Sequence, residues 1–338
     1  MTNTTSGDRA TGALLGLALG DAMGAPTEFL TSCQITEQFG AWRYLHLPDP
    51  AEVTDDTQMT IAVGQALAAA GRRGMSARIF EEELRWRFIA WNRSEDNTRS
   101  PGLTCMASCR LLEDGRPFED ATQALSKGCG ANMRVVPLGL DRSLDDVQRA
   151  GAAQLQAALT HGHPTALAAS DLTAQAVHLL AAGVRPDCLP AALRAYAVAH
   201  RDRYLDSWLG DRLWRAGGYR TARQYIAAGW DEVLRSLEQL DRALDRGDID
   251  EDPCLATGEG WIAEEALAGG LLCFLLLADQ PASVLRRAAH TSGDSDSIAT
   301  LAGAFAGAHL GPQAWRPQWA ERVEYHEELL SLAATWDS

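Results

Sequence analysis

A chain of 338 residues, 46% of them hydrophobic, can bury a sizeable core as one large domain or two ordinary ones. Its formal net charge of −15 opposes binding to nucleic-acid backbones, which depends on Lys and Arg neutralising phosphates. Seven scattered cysteines without a Cys-x-x-Cys pair indicate neither a disulfide framework nor a zinc site. Residues 1–8 form a polar tail without the basic start of a signal peptide, and the apolar stretch 10–19 is too short to span a bilayer. A cytoplasmic protein without a membrane partner is expected.

Taken in order, residues 10–19 mix small and large apolar side chains in a pattern that suits a buried helix, closed by Gly20 and by Gly24-Ala25-Pro26. Residues 55–70 form a second helix with Thr54 as its N-cap and Gly71 beyond its end. Residues 76–92 are amphipathic and belong at the surface. A polar loop, 95–103, leads to a short helix ending at Leu112, and a Gly-rich loop opens the segment 127–140. Helices follow at 144–159 and 165–182, broken by His161-Gly162-His163-Pro164. Residues 189–247 are helical in pattern, and Leu234, Leu237, Leu240 and Leu244 mark a packed helix pair. After an acidic loop, 248–259, further helices are expected at 263–277, 282–289, 297–310 and 315–334. Only 42–47 hints at strand-like alternation, so the fold class is all-α: one multi-helix domain over 9–338.

Two acidic clusters stand at helix heads: Val53-Thr54-Asp55-Asp56-Thr57 and Gly293-Asp294-Ser295-Asp296-Ser297. Asp294 and Asp296 are two apart and cannot share one helix face, so both are placed in the turn before a helix that begins at Ser297. Either cluster alone reads equally well as a helix cap. Together, four carboxylates meeting across a core would repel one another unless a cation lay between them. With only oxygen donors in the motifs, a hard ion such as Mg²⁺ or Mn²⁺ fits better than zinc, and the number of acids leaves room for two.

Beyond these clusters, several motifs occur in order: Gly20-Asp21-Ala22-Met23-Gly24 to Glu28-Phe29, Thr54-Asp55-Asp56-Thr57, Arg99-Ser100-Pro101-Gly102-Leu103-Thr104-Cys105, Lys127 to Val135, Thr160-His161, Ala263-Glu264-Glu265, and His290 to Gly307. In this ordered set the chain resembles the ADP-ribosylglycohydrolase family, in its bacterial branch. The resemblance implies an all-α fold around a binuclear Mg²⁺ or Mn²⁺ centre, with Thr54, Asp55, Asp56, Asp294, Asp296 and Ser297 as ligands. It implies catalytic roles for Glu28, Asp55, Asp56 and Asp296. It also implies contacts to the ADP-ribose part of a substrate from Gly102, Thr104, Gly128, Cys129, Gly130, Asn132, Met133 and His161. Gly128 to Asn132 would offer backbone N–H groups to phosphate, while Arg134 reads either as an added charge or as a structural residue. Ser297 stands where many relatives have Thr, and Leu103 where many have Asn or Asp, which removes a polar group near the reacting end.

The implied activity is metal-dependent hydrolysis of the glycosidic bond between ADP-ribose and an acceptor, such as a protein arginine or another ADP-ribosylated molecule, with release of ADP-ribose. Nucleic acid would enter only as such a substrate. Two rival readings stay open: an ADP-ribose-binding protein with weakened catalysis, and a metal-dependent nucleotide phosphohydrolase.

Overall fold

The first helix sets the architecture because its glycines recur every four residues. In the computed structural model, which describes residues 8–337, α1 (Arg9–Gly24) lies along a late helix with Gly12, Gly16 and Gly20 in the seam. A Cβ on any of the three would overlap a backbone carbonyl of the partner, at Gly307, Gly303 and Ala299 respectively. The missing side chains therefore bring two backbones into direct contact and trade helix propensity for packing. Gly20 does not end the helix, as the sequence suggests, because at that position close approach outweighs the residue's tendency to break helices. The tail expected at 1–8 lies, apart from Asp8, outside the described residues.

The remaining long helices are α2 (Ser32–Phe39), α3 (Asp55–Arg72), α4 (Ala77–Asn92), α5 (Leu103–Glu113), α6 (Asp146–Ala158), α7 (Pro164–Ala181), α8 (Leu189–His200), α9 (Ala222–Arg246), α10 (Ala263–Leu276), α11 (Pro281–Ala289), α12 (Ser295–Leu310) and α13 (His326–Ala333). The partner of α1 is α12, which also packs on α10, α11 and α7 and so forms the axis of a single continuous apolar core. Burial of nearly every α12 side chain explains its Ala/Gly-rich sequence, since large residues would hold the neighbours apart.

Most expected helices appear within a few residues of their sequence bounds. The amphipathic α4 buries Phe80, Leu84, Phe88 and Trp91 and turns Trp86 outward. Leu237 and Leu240 of α9 are buried where that helix packs on α7, α8 and α10. The segment 42–47 is not a strand: Trp42–Tyr44 is a single 3₁₀ turn, and the described residues contain only isolated β-bridges. The helix expected at 315–334 is divided, because Arg316-Pro317 starts a short turn and Tyr325 adopts a left-handed backbone with φ 58°. No helix among the described residues is long and apolar enough to cross a membrane.

Candidate active site

The N-termini of α3 and α12 face one cavity, and the glycine seam determines how close they come. At the end of that seam, Gly24 lies against the backbone of Ser295 and Asp296. Beyond it, Thr27 is fully buried; its hydroxyl donates to Ala289 O at 2.6 Å and lies 3.0 Å from Ser295 Oγ. These bonds pin the turn that carries Glu28. Gly293, with φ 90°, lets the chain pass under Glu259, whose carbonyl accepts from Asp294 N at 2.8 Å.

The structure starts α12 at Ser295, two residues earlier than expected, so Asp294 is the N-cap and Asp296 sits in the first turn. Convergence survives because the cap residue has non-helical torsions, φ −82° and ψ 69°, and its side chain turns back to accept from Ser297 N at 3.3 Å. Carboxylate oxygens of Glu28, Asp294 and Asp296 come within 4.8 Å of one another, a grouping that can hold a metal ion. Asp55 and Asp56 line the same cavity but stand outside that close group. Thr54 connects the two helix heads, with its Oγ1 2.9 Å from Asp21 Oδ1 and 3.3 Å from Asp296 Oδ2.

Asp21 is a residue that motif reading quoted without giving it a role. Fully buried, it accepts from the backbone N–H groups of Thr54 and Thr57 and from both their hydroxyls, at 2.6–3.1 Å. It thereby fixes the turn that presents Asp55 and Asp56. A carboxylate inside an otherwise apolar, glycine-stepped helix was the signal available in the sequence. On the outer side of that turn, Arg99 bonds Val53 O and pairs with Glu324, which in turn accepts from Val53 N at 3.0 Å.

Six acids gathered at and behind the two helix heads impose a strong electrostatic cost. Burial first, and then Asp296 and the other carboxylates, push Glu28 up to about 9. Asp21 and Asp55 rise to about 7, mainly through burial and despite the hydrogen bonds they accept. Burial and neighbouring acids raise Asp56 and Asp294 well above the carboxylate range, and burial raises Asp296. Asp56 Oδ2 is buried without a hydrogen-bond partner. An unpartnered carboxylate oxygen beside others that repel it is what a cation site looks like before its charge is balanced. The donors are carboxylate and hydroxyl oxygens, which suit a hard divalent ion, and the positive ends of α3 and α12 favour the ionised form of the carboxylates that would hold it. The residues present therefore fit the expected metal.

The cavity has a volume of about 390 Å³, and its walls mix predicted and unpredicted residues. Gly102, Thr104, Gly128, Cys129, Gly130, Met133 and His161 all line it, as does Leu103, which is 81% exposed. Gly102 N donates to Asp55 Oδ2 at 3.1 Å and so holds a carboxylate in place. Cys129 Sγ donates to Asp294 Oδ2 at 2.7 Å. Phe29, at φ 64°, stacks on Trp261 with ring centroids 5.3 Å apart, and the pair forms a wall that motif reading did not foresee.

Two expectations for the Gly-rich loop need correction. Asn132 does not face the cavity: it is fully buried, and its Nδ2 donates to Ala263 O at 3.1 Å, fastening the loop to α10. Nor is the loop a row of free N–H donors, since Cys129 N, Ala131 N, Asn132 N and Met133 N bond Trp261 O, Gly128 O, Cys129 O and Cys129 O. Gly128 and Gly130 are small because the His161 ring packs against them; a Cβ on either would lie 3.1 Å from a ring atom. Arg134 is fully buried away from the cavity, in keeping with the structural alternative.

Other surface hollows reach similar or larger volumes, about 430 Å³ beside Arg72 and Glu328 and about 550 Å³ beside Arg185 and His309, but neither gathers buried carboxylates. Fold and site thus define an all-helical protein whose chemistry is concentrated at two opposed helix heads rich in carboxylates. The chain belongs to the ADP-ribosylglycohydrolase family, whose model matches residues 2–337, and this places it among the hydrolases of glycosidic bonds. It is similar to the ADP-ribosyl-[dinitrogen reductase] glycohydrolase of Rhodospirillum rubrum, 28% identical over 98% of this chain and 99% of that one. ADP-ribosylhydrolase ARH3 of Mus musculus is 27% identical over 96% and 90% of the two chains. A solved structure titled ADP-ribosylglycohydrolase-related protein complex shares the fold with a TM-score of 0.68, at 24% identity and 98% coverage of both chains.

Proposed function

We propose that this protein hydrolyses the glycosidic bond between the C1″ carbon of ADP-ribose and an acceptor group, releasing free ADP-ribose. The observation that carries the reading is the approach of Glu28, Asp294 and Asp296 within one cavity that Asp55 and Asp56 also line. Thr54, Asp55, Asp56, Asp294, Asp296 and Ser297 are the residues to hold two Mg²⁺ or Mn²⁺ ions. When bound, those ions supply the positive charge that orients ribose hydroxyls and lowers the pKa of water.

The side chains divide the remaining work. Glu28 is partly buried beside Asp294 and Asp296, which makes it hold a proton more tightly than an ordinary carboxyl before a cation binds, and it stands where it can pass a proton to the departing acceptor. In the reaction water adds to C1″ as its hydroxyl while the bond to the acceptor breaks; the acceptor leaves with the Glu28 proton, and the proton lost by the water returns to the Glu28 carboxylate. Asp55, steadied by Gly102 N, and Asp296, near Thr54, present fixed negative charge to the oxocarbenium-like transition state. Thr104, Met133 and His161, with the Gly128–Gly130 edge and the Phe29–Trp261 wall, bound the space for the ADP-ribose body.

A panel of ADP-ribosylated arginine, serine, nucleic-acid-end and small-molecule substrates, incubated with Mg²⁺ or Mn²⁺ and scored for free ADP-ribose, tests this. Release of intact ADP-ribose from at least one substrate is expected, and its loss after chelation. Phosphate release in its place would identify a phosphohydrolase, and tight ADP-ribose binding without turnover on any substrate would identify a binding protein.

A further inference from the structure

Arg134 is fully buried, yet among the described residues it faces no carboxylate in an ion pair. Its guanidinium donates instead to Gln156 Oε1 at 2.8 Å, Gln156 O at 2.9 Å and Thr160 Oγ1 at 2.7 Å, with the Phe88 ring 4.5 Å away. A buried cation without an anion is costly, so what its donors organise matters. They meet just beyond the C-terminal end of α6, at the residue preceding His161.

The bond to Thr160 dictates the protonation of the next residue. A hydroxyl has one proton to give, and Thr160 Oγ1 already accepts from Arg134. Its neighbours include His161 Nδ1 at 2.8 Å and Ala157 O at 3.5 Å, the latter at the limit of a hydrogen bond. The Cys105 thiol is also within hydrogen-bond reach of this hydroxyl, but it is a weaker acceptor than an imidazole nitrogen. A lone pair on Nδ1 is also preferred to an N–H there, because the guanidinium bonded to the same hydroxyl is positive. Nδ1 therefore accepts, and the neutral ring carries its proton on Nε2. That atom lies beside Gly128 and Gly130, has no protein partner among the described residues, and belongs to a side chain that lines the cavity.

We propose that Arg134, acting through Thr160, locks His161 in the Nε2–H tautomer, so that the cavity holds one neutral hydrogen-bond donor aimed at a lone-pair oxygen of the bound ligand. For ADP-ribose the matching chemistry is a phosphate or ribose oxygen, and this part alone rests on the proposed function. Neutrality follows from the surroundings: the acids line the same cavity, but the charge that acts on the ring is that of Arg134, and a neutral N–H stays available to substrate. Burial and the Arg134 charge together hold His161 down to about 3, in agreement with that role. Arg134 and Thr160 are positioning residues in this scheme, and neither touches the ligand.

The test is long-range ¹H–¹⁵N correlation on protein with ¹⁵N-labelled histidine, with His161 assigned by its loss in His161→Asn. The expected pattern is a protonated Nε2 and a lone-pair Nδ1 that persist from about pH 5 to 8, where free imidazole titrates. Thr160→Val should release the ring into mixed tautomers or restore its titration, and weaken ADP-ribose about tenfold with a smaller change in kcat. Thr160→Ser, which keeps the hydroxyl, should restore both. A wild-type ring protonated on Nδ1, or a Thr160→Val protein with an unchanged tautomer, would overturn the relay. If ADP-ribose binds by calorimetry but leaves the Nε2 resonance unmoved, the donor assignment falls. If ADP-ribose does not bind at all while the tautomer pattern is present, it is the proposed function that fails and the relay stands.

Discussion

Two buried carboxylate sites in this molecule follow opposite rules. Asp171, on α7, is 1% exposed and has both oxygens satisfied, by Gln154 Nε2 and by Tyr196 OH, each at 2.8 Å. Burial raises its proton affinity and those two bonds lower it again. At the opposed helix heads, Asp56 is 2% exposed, its Oδ2 has no partner, and its neighbours are other acids. The first site is complete within the chain and ties three helices together. The second leaves an oxygen without a partner among the described residues, which is where the proposed cation would act, and that contrast separates the two kinds of acid more clearly than burial does.

The largest effect expected from this contrast is at Asp56. Asp56→Asn keeps the shape and removes a charge, so turnover should fall about a thousandfold, with loss of divalent-ion affinity by calorimetry. The same change should leave the chelator-treated protein no less stable, and its Tm about 2 °C higher, because a repulsive charge has gone. Asp171→Ala should do the reverse: it strands Gln154 and Tyr196 and costs about 3 kcal/mol in denaturant unfolding, while activity per folded molecule stays at the wild-type level. A stability loss from Asp56→Asn in chelator, or an activity loss from Asp171→Ala, would break the comparison.

A smaller effect is visible in pH. Asp21 and Asp55 titrate near 7 in the folded chain, against about 4 when unfolded. A folded state that holds more protons than the unfolded one loses stability as pH rises, so without metal these groups stabilise fully below about 4 and the contribution is gone above about 7. Glu28 extends the decline towards 9. Saturating Mg²⁺ or Mn²⁺ should flatten the slope, because a cation favours the ionised forms and binds only the folded chain. Thermal melts across that range with EDTA and with metal provide the check, and parallel curves would count against a cation among these acids.

How much of this was legible in the sequence depended on the kind of signal. Helix existence followed from periodicity and caps, and Thr54 caps α3 as expected. The boundaries at Gly20 and Gly71 were misjudged, Gly20 because its purpose is a backbone contact with a helix roughly 280 residues away, which no local rule can see. At the site, motif order pointed to the acids, yet the offset of Asp296 into the first turn and the clamp supplied by Asp21 depend on tertiary packing. Trp261 and Phe29 were missed because isolated aromatics give no pattern until the cavity has walls. Asn132 was misplaced for the converse reason: a polar residue in a Gly-rich motif suggests ligand contact, whereas here it serves as a strut between the loop and α10.

The smallest expected effect concerns Leu103, where a polar residue was anticipated. It opens α5 next to Gly102, whose N–H holds Asp55, and its side chain is 81% exposed on the cavity wall. Because it buries little, Leu103→Asn should change stability by no more than about 0.5 kcal/mol. If the side chain borders only the ADP-ribose body, which every substrate shares, the variant would alter kcat/KM by one common factor across the substrate panel. Leu103 follows Gly102, whose N–H holds the Asp55 carboxylate, so under the proposed reaction a new amide there meets the acceptor instead. The ratio of kcat/KM between arginine-linked and serine-linked substrates should therefore move by about fivefold, the worth of one neutral hydrogen bond, while the affinity for free ADP-ribose holds constant.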